Sequence, residues 1–294
     1  MPVESLKTLR QRLRTINNVR QITRAMEMVS AARLRRAQGV LMAGRPYTRK
    51  IQQLLARLAS SPAAAEHPLF QYRDPIKTTL VVFTSDRGLA GAFNNNLINA
   101  AESYIRQRGT DGLELVCVGR KGYVHFAKTG LPIVAAITDL AGRVDADKSN
   151  ELSQMLQERF LSGQTDEVLL LYSHYISAAS FKPAIEQFLS LQPEAILQET
   201  EGNGSSREID YIFEPSVSAV FDVLVPRYLQ AIMYLTFAEQ LTSEHSGRML
   251  AMHSATKNCE ELGDALRLKL NKARQASITK ELLDIVGGAE ALNG

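Results

Sequence analysis

Apolar residues recur every three or four positions over the last quarter of the chain, from Tyr228 to Ile285, without an intervening proline. This spacing predicts a helix with a narrow apolar stripe. At about 1.5 Å per residue, such a helix would be about 85 Å long. That length exceeds the diameter of a compact domain of this size. The pattern therefore predicts a second long helix that covers the stripe.

The opening segment of the chain carries a matching pattern. From Leu6 onward, apolar residues again recur at intervals of three and four, and no proline follows until Pro46. Two narrow stripes with a spacing near 3.5 residues favour an antiparallel coiled coil formed by the two ends of one chain. An ordinary helical bundle is the alternative. The predicted core positions are Leu9, Leu13, Ile16, Ile22 and Val29 in the first helix and Met249, Met252, Leu262 and Leu266 in the second.

Between the two helical segments the periodicity changes. Short apolar runs rich in β-branched residues alternate with helical patterns, which predicts a mostly parallel sheet covered on both faces. The predicted strands are Thr79 to Thr84, Leu113 to Val118, Pro132 to Ile137 and Val168 to Tyr172, with one more within Lys182 to Gln198. The predicted helices are Leu89 to Arg108, Lys121 to Lys128 and Ser149 to Ser162.

These elements divide the chain into an N-terminal coiled-coil helix (1–58), an α/β domain (76–200) and a C-terminal coiled-coil helix (216–294). The predicted fold class is α/β, with a Rossmann-like domain inserted into the antiparallel coiled coil. We expect a bend in the first helix near Pro46, because proline forfeits a backbone hydrogen bond. We also expect a short helix capped by Ser216 that ends before Pro226, and a flexible polar loop at Glu201 to Arg207.

Charge is distributed unevenly along the chain. Residues 1–60 hold thirteen Lys and Arg against two Glu, so they carry +11, and the remainder carries +3 minus 11, or −8. A basic helix of this density suits nucleic acid, anionic lipid or acidic loops of a protein partner, or is simply a solvated face. No apolar run is long enough to span a membrane, and the first residues lack a signal core, so we expect cytoplasmic synthesis. Cys117 and Cys259 are expected to be buried small hydrophobes rather than a disulfide pair.

The most enzyme-like stretch is TSDRGLAGAFNNN, from Thr84 to Asn96, in which a strand enters a glycine turn and then a helix. Such a helix start can bind phosphate. The pattern is GxxG rather than GxGxxG, however, so a structural turn is the first interpretation. The five histidines do not form a metal-binding motif, and aromatic residues do not interleave the basic cluster as nucleic-acid binding favours. We therefore predict no catalytic residue, no cofactor and no metal site.

Five stretches together resemble one known family. They are INNVRQITRAMEMVSAARLRRAQ (Ile16 to Gln38), GRPY (Gly44 to Tyr47), TSDRGLAGAFN (Thr84 to Asn94), SEHSGRMLAMHSAT (Ser243 to Thr256) and NKARQASITKELLDIVGGA (Asn271 to Ala289). This set is similar to the gamma subunit of bacterial F-type ATP synthases, and it covers both ends of the chain and the central domain.

The resemblance implies that the coiled coil is a central rotor shaft inside a hexamer of alpha and beta subunits. Proton flow would turn the shaft, and the turning shaft would drive ATP synthesis, or run in reverse with hydrolysis, on the beta subunits. The implied partners are the alpha, beta and epsilon subunits and the membrane c-ring, with no nucleic acid. The implied location is peripheral, at the cytoplasmic face of the bacterial plasma (inner) membrane. The chain itself would be a non-catalytic subunit.

The resemblance also assigns contact residues. Arg24, Met26 and Arg33 would face the acidic loops of beta, although Met26 also fits the coiled-coil stripe. A second set would contact the catch loop of beta, and it comprises Arg274, Gln275 and Thr279. The end beyond Ile285 would lie in the apolar sleeve of the hexamer.

Several positions depart from the family pattern. Ala90 replaces a common cysteine, Gly247 a usual alanine, and Lys257 a common acidic residue. Gly247 should weaken the helix by about 1 kcal/mol relative to alanine, and His253 with Lys257 makes the local surface more basic. The cysteine-bearing insertion of chloroplast members is missing around Gln198 to Ile212, so thiol control of rotation is not expected.

Overall fold

A computed structural model describes residues 5–59, 67–70, 73–191, 214 and 216–293, without the side chains of residues 59 and 289–293. The chain divides into two compact units. One comprises Met1–Ser30 and Arg248–Gly294, and the other comprises Ala31–Gly247. The predicted loop at Glu201 to Arg207 lies outside the described residues.

Two long helices open and close the described chain. Helix α1 spans Leu6–Ala59 with Pro46 inside it, and helix α5 spans Val217–Asn293 with Pro226 inside it. The expected break at Pro226 is therefore wrong, because one helix runs through that position. Burial of Val225 and Leu229 on either side offsets the backbone hydrogen bond that the proline forfeits.

In the unit formed by the chain ends, α1 and α5 lie side by side. His253 contacts Glu27, Thr256 contacts Thr23, and Gly263 lies next to Ile16. Because residue numbers rise along one helix as they fall along the other, the pair is antiparallel. This arrangement confirms the predicted coiled coil of the two chain ends.

The second unit contains a five-stranded sheet in the order β3-β2-β1-β4-β5. The strands are β1 (Thr78–Phe83), β2 (Leu113–Val118), β3 (Ile133–Ile137), β4 (Glu167–Ser177) and β5 (Ser180–Leu189). The first four are parallel, and β5 pairs antiparallel with β4. The intervening helices are α2 (Phe93–Arg108), α3 (Arg120–Phe126) and α4 (Ala146–Leu161). The predicted inserted α/β domain is therefore present.

The sheet is covered on both faces, because alternate side chains of each strand point to opposite sides. On one face Leu80 and Cys117 are buried in the same apolar cluster as Leu97 of α2. On the other face Phe83 is buried in the same cluster as Leu152 of α4 and residues of both long helices. No described helix contains an apolar stretch sufficient to cross a bilayer.

Candidate interaction surfaces

The seam between α1 and α5 in the chain-end unit is lined by small residues as well as by leucine and methionine. Thr23 and Thr256 are each only 8% exposed, and the Thr256 hydroxyl lies 2.9 Å from that of Thr23. Ser30 and Gly263 are also buried. Small side chains at these positions let the two helix backbones approach closely.

Three residues that were predicted to lie in the coiled-coil core lie outside this seam. Ile22, Val29 and Leu262 are 59%, 53% and 48% exposed. Each precedes a small buried residue by one position, since Thr23, Ser30 and Gly263 take their places. At these three positions the predicted seam was displaced by one residue. Of the remaining predicted core positions, three are buried and three half-buried: Leu9, Met252 and Leu266, then Leu13, Ile16 and Met249.

Two of these exposed residues, Ile22 and Val29, belong to an apolar stripe on the surface of α1. Ile22, Met26 and Val29 are separated by four and three positions, so they share one helix face. Ile22 and Val29 are exposed, whereas Met26 is half-buried. We call these three residues the outer stripe. Exposed apolar residues that share one helix face are a candidate contact surface for a partner.

The charges around the outer stripe are almost all positive. Glu27 is the only acidic residue in α1, and its carboxylate lies 2.9 Å from Nδ1 of His253 on α5. Arg24 is exposed. Because the single carboxylate is turned toward α5, a partner meets apolar side chains flanked by guanidinium groups.

In the other unit, Arg33 is also exposed, and its Nη1 would lie 3.1 Å from a Cβ placed on Gly142.

The last turns of α5 form a second candidate surface. Arg274, Gln275 and Thr279 are exposed, and the Thr279 hydroxyl donates within the helix to the Gln275 carbonyl at 3.0 Å. Large apolar side chains are also exposed here: Ile278, Leu282, Leu283, Ile285 and Val286. This end of the helix therefore presents both polar groups and an extended apolar surface.

The TSDRGLAGAFNNN motif uses its polar side chains to connect loops at the carboxyl edge of the sheet. Thr84 Oγ1 accepts from the Gly122 amide at 2.9 Å, and Asp86 accepts from the amides of Arg120 and Leu140 at 3.0 and 2.7 Å. The Ser85 amide donates to Oδ1 of Asn94 at 2.9 Å. These contacts support the structural interpretation of the motif.

Helix α5 occupies the position where doubly wound sheets usually hold a ligand. Strand β1 pairs with β2 on one side and with β4 on the other, and ligands bind at such a switch point. Here Ser243 of α5 donates to the Ser173 carbonyl at 3.0 Å. A Cβ on Gly247 would lie 3.2 Å from the Ala90 carbonyl oxygen and 3.1 Å from Phe181. Gly247 therefore permits a close approach, in addition to its expected effect on helix stability.

Sequence reasoning did not predict the burial of a run of polar residues in the middle of α5. The run includes Glu239, Gln240, Thr242, Ser243, His245 and Ser246. A polar run that interrupts the apolar stripe was the available signal, because buried polar side chains require hydrogen-bond partners.

The pKa values of two buried groups, the Tyr172 phenol and the Cys117 thiol, are strongly raised. Burial raises the pKa of Tyr172, and the carboxylates of Glu186 and Glu239 raise it further. Burial alone raises the pKa of the Cys117 thiol to about 11. Glu239 also accepts from Arg45 at 2.9 Å, so its charge is compensated. Tyr172, Cys117 and Glu239 are all buried.

Comparison with known proteins identifies the family. The protein-family model described as "ATP synthase" matches residues 5–292. The ATP synthase gamma chain of Pelotomaculum thermopropionicum is 38% identical over 288 residues, covering 98% of this chain and 99% of that one. The ATP synthase gamma chain of Chlorobium phaeobacteroides is 41% identical, covering 99% of each.

Solved structures share the fold. A chain of the Euglena gracilis mitochondrial ATP synthase assembly of OSCP, F1 and c-ring superposes with a TM-score of 0.66 at 20% identity, covering 98% of this chain and 94% of that chain. A chain of the Tetrahymena thermophila mitochondrial ATP synthase central stalk and c-ring gives 0.60 at 22% identity, covering 80% and 99%.

Proposed function

The chain belongs to the ATP synthase gamma chain family, and from this membership we propose that it is the central rotor shaft of an F-type ATP synthase. It turns inside a hexamer of alpha and beta subunits and couples transmembrane proton flow to ATP synthesis or hydrolysis on beta. Its other partners are the epsilon subunit and the c-ring. It is peripheral to the membrane, at the cytoplasmic face of a bacterial inner membrane.

The outer stripe is the observation that carries this proposal. Ile22 and Val29 are exposed although the chain has a helix partner for α1. Arg24 flanks them, and Glu27 is directed toward His253. A surface of this kind suits a partner segment that is acidic and partly apolar, because the arginines attract it and the stripe then excludes water.

The shaft acts by changing the relative stability of states in its partners. A conformational element shifts a population only if it interacts more favourably with one state than with another. The outer stripe occupies one side of α1, so each beta subunit would meet it at a different stage of a turn. Rotation then becomes a difference in nucleotide affinity among the three beta sites.

Chemistry is assigned to the partners rather than to this chain. The carboxyl edge of the sheet, where a nucleotide would bind in an enzyme of this architecture, is occupied by α5 through Gln240, Ser243 and Gly247. We therefore propose that the chain has no catalytic site of its own. A nucleotide-binding enzyme is the alternative, and it predicts saturable nucleotide binding by the isolated chain.

The assembly test is native mass spectrometry of tagged chain recovered from detergent-solubilised membranes of its host. We expect one copy of this chain with three alpha and three beta copies. Recovery of a lone chain, or of a chain carrying nucleic acid with strongly salt-dependent retention, would contradict the shaft.

The contact test is the variant Met26→Lys, which adds a cation to the outer stripe. We expect fewer protons pumped per ATP hydrolysed by the assembled complex. Met28→Lys is a matched control, since Met28 is an exposed methionine two positions away, on a different side of α1. If Met26→Lys pumped as many protons per ATP as the unaltered complex, the proposed contact would be wrong.

A further inference from the structure

Strand β4 continues past the end of its neighbour β1. The last paired positions are Val82 and Leu171, and Ser173 lies two residues further along β4. The Ser173 amide donates to Oε1 of Gln240 at 2.9 Å, and the Ser173 carbonyl accepts from Oγ of Ser243 at 3.0 Å. Side chains of α5 thus continue the backbone hydrogen bonding of β4 where β1 stops.

The same helix face makes a third contact of this kind. The Ser246 hydroxyl donates to the carbonyl of Ala178, next to the end of β4. Gln240, Ser243 and Ser246 are each three positions apart, so they lie on one side of α5, within about a third of its circumference. We call these three residues the polar row. These three hydrogen bonds are all made with backbone groups, so they do not depend on which side chains β4 carries.

A neighbouring contact ties α5 to another loop at the same edge of the sheet. His245 is buried, and its Nε2 lies 3.2 Å from the carbonyl oxygen of Gly142, to which it can only donate. The loop between β3 and α4 and the end of β4 are therefore both held by one segment of α5.

The polar row and the apolar core constrain α5 differently. Apolar contacts such as that between Phe83 and Phe237 are not directional, so they tolerate small rotations and shifts of the helix. Hydrogen bonds weaken steeply with angle and distance. Since the polar row is buried, a shift of α5 by one residue would leave the backbone groups of Ser173 without partners and without water.

We propose that the polar row sets the axial and rotational position of α5 on the carboxyl edge of the sheet. If the chain is the rotor shaft proposed above, torque that passes between the α/β domain and α5 crosses at this row. Gln240, Ser243 and Ser246 are then positioning residues for coupling, although they contact neither nucleotide nor membrane.

The test compares two variants of the tagged chain in its assembled complex. The first removes the two serine hydroxyls of the row, as Ser243→Ala with Ser246→Ala. It keeps Gln240, the acceptor of the Ser173 amide, so exchange at that amide reports the position of α5 rather than the loss of its acceptor. The control is Thr242→Val, because Thr242 is equally buried but its hydroxyl donates to the Ala238 carbonyl of its own helix, at 2.6 Å. Both variants lose buried hydroxyls, but only the first loses contacts between α5 and the sheet.

Hydrogen–deuterium exchange at the Ser173 amide reports on the row directly. We expect exchange about tenfold faster in the row variant and unchanged in the control. We also expect the row variant to pump fewer protons per ATP hydrolysed than the control. If the double variant fails to assemble, the single variant Ser243→Ala is compared with Thr242→Val in the same two measurements.

The outcomes separate the two parts of the proposal. Unchanged exchange at Ser173 in the row variant overturns the positioning role. Faster exchange with undiminished pumping per ATP overturns the role in torque. If the tagged chain carries no alpha and beta subunits, the proposed function fails, while exchange on the recovered chain still decides the positioning role.

Discussion

The Thr256 hydroxyl contacts the Thr23 hydroxyl across the antiparallel helix pair, at a distance of 2.9 Å and with both residues buried. Within its own helix, the Thr256 hydroxyl can also donate to the Met252 carbonyl, and the Thr23 hydroxyl can donate to the Arg20 carbonyl. We expect a double-mutant cycle with Thr23→Val and Thr256→Val to give a coupling free energy of about 1 kcal/mol. Urea unfolding of the four forms measures it. Additive effects of the two substitutions would mean that the hydroxyls do not interact.

Gly119 lies where only glycine fits, directly after β2. Its φ is +95°, and a Cβ there would lie 2.3 Å from the Thr84 carbonyl oxygen. We expect Gly119→Ala to lower the free energy of unfolding by about 3 kcal/mol or more, because it combines backbone strain with a backbone collision. Gly109 is the matched control, since its φ is +88° but its Cβ would meet open space. Gly109→Ala should cost clearly less, and equal losses would exclude the collision as the cause.

His67 lies beside the rings of Phe70 and Phe221. Burial lowers its pKa from the ordinary value of 6.5, and nearby Asp222 opposes this only in part. Below pH 6.5 the unfolded chain therefore binds a proton that the folded chain resists, so stability falls as the pH falls. We expect His67→Phe to reduce this loss of stability between about pH 6.5 and 5. Thermal unfolding across that range checks it, and equal pH dependence in the two proteins would contradict it.

Cys117 is fully buried in β2, and burial raises its thiol pKa to about 11. The folded chain keeps this proton between pH 9 and 11 while the unfolded chain releases it, so stability falls as pH rises through that window. We expect an alkylating reagent at pH 8 to modify half-buried Cys259 in the native protein and Cys117 only after denaturation. Mass mapping of the labelled peptides decides this, and labelling of native Cys117 would contradict the assignment.

Val29 belongs to the outer stripe. Because its side chain is exposed, a substitution there should affect coupling much more than it affects the stability of the fold. Because Val29 is half exposed, Val29→Asp should change the free energy of unfolding by less than about 1 kcal/mol. It should nevertheless lower the number of protons pumped per ATP hydrolysed. Leu161→Asp is the control, as an equally exposed apolar residue at the end of α4. If both variants coupled normally, Val29 would not contact a partner.

Strands β1, β2 and β4 were predictable because burial on both faces makes them continuous apolar runs. Strand β5 was located less exactly, since its middle residues are partly exposed and Pro183 interrupts the run. The continuation of α5 through Pro226 depends on the burial of Val225 and Leu229, which local propensity does not reveal.

The phase of the helix seam was not predictable from periodicity. Ile22 with Val29 and Thr23 with Ser30 have the same seven-residue spacing, so both pairs fit a helical stripe. The choice depends on Thr256 and Gly263, far away in sequence, whose small side chains suit close contact. Hydrophobicity favoured the wrong pair, because the more apolar stripe of α1 faces outward.

The separation of Thr23 and Thr256 by 233 positions has a consequence for biosynthesis. At about 5–20 residues per second, a ribosome needs roughly 10–50 s between these two residues. During that time α1 has left the ribosome but its partner helix does not exist. The five strands are complete earlier, at Leu189, but the part of α5 that covers the seam on α1 follows only after Arg248. The seam residues of α1 therefore stay uncovered until most of the chain has been made.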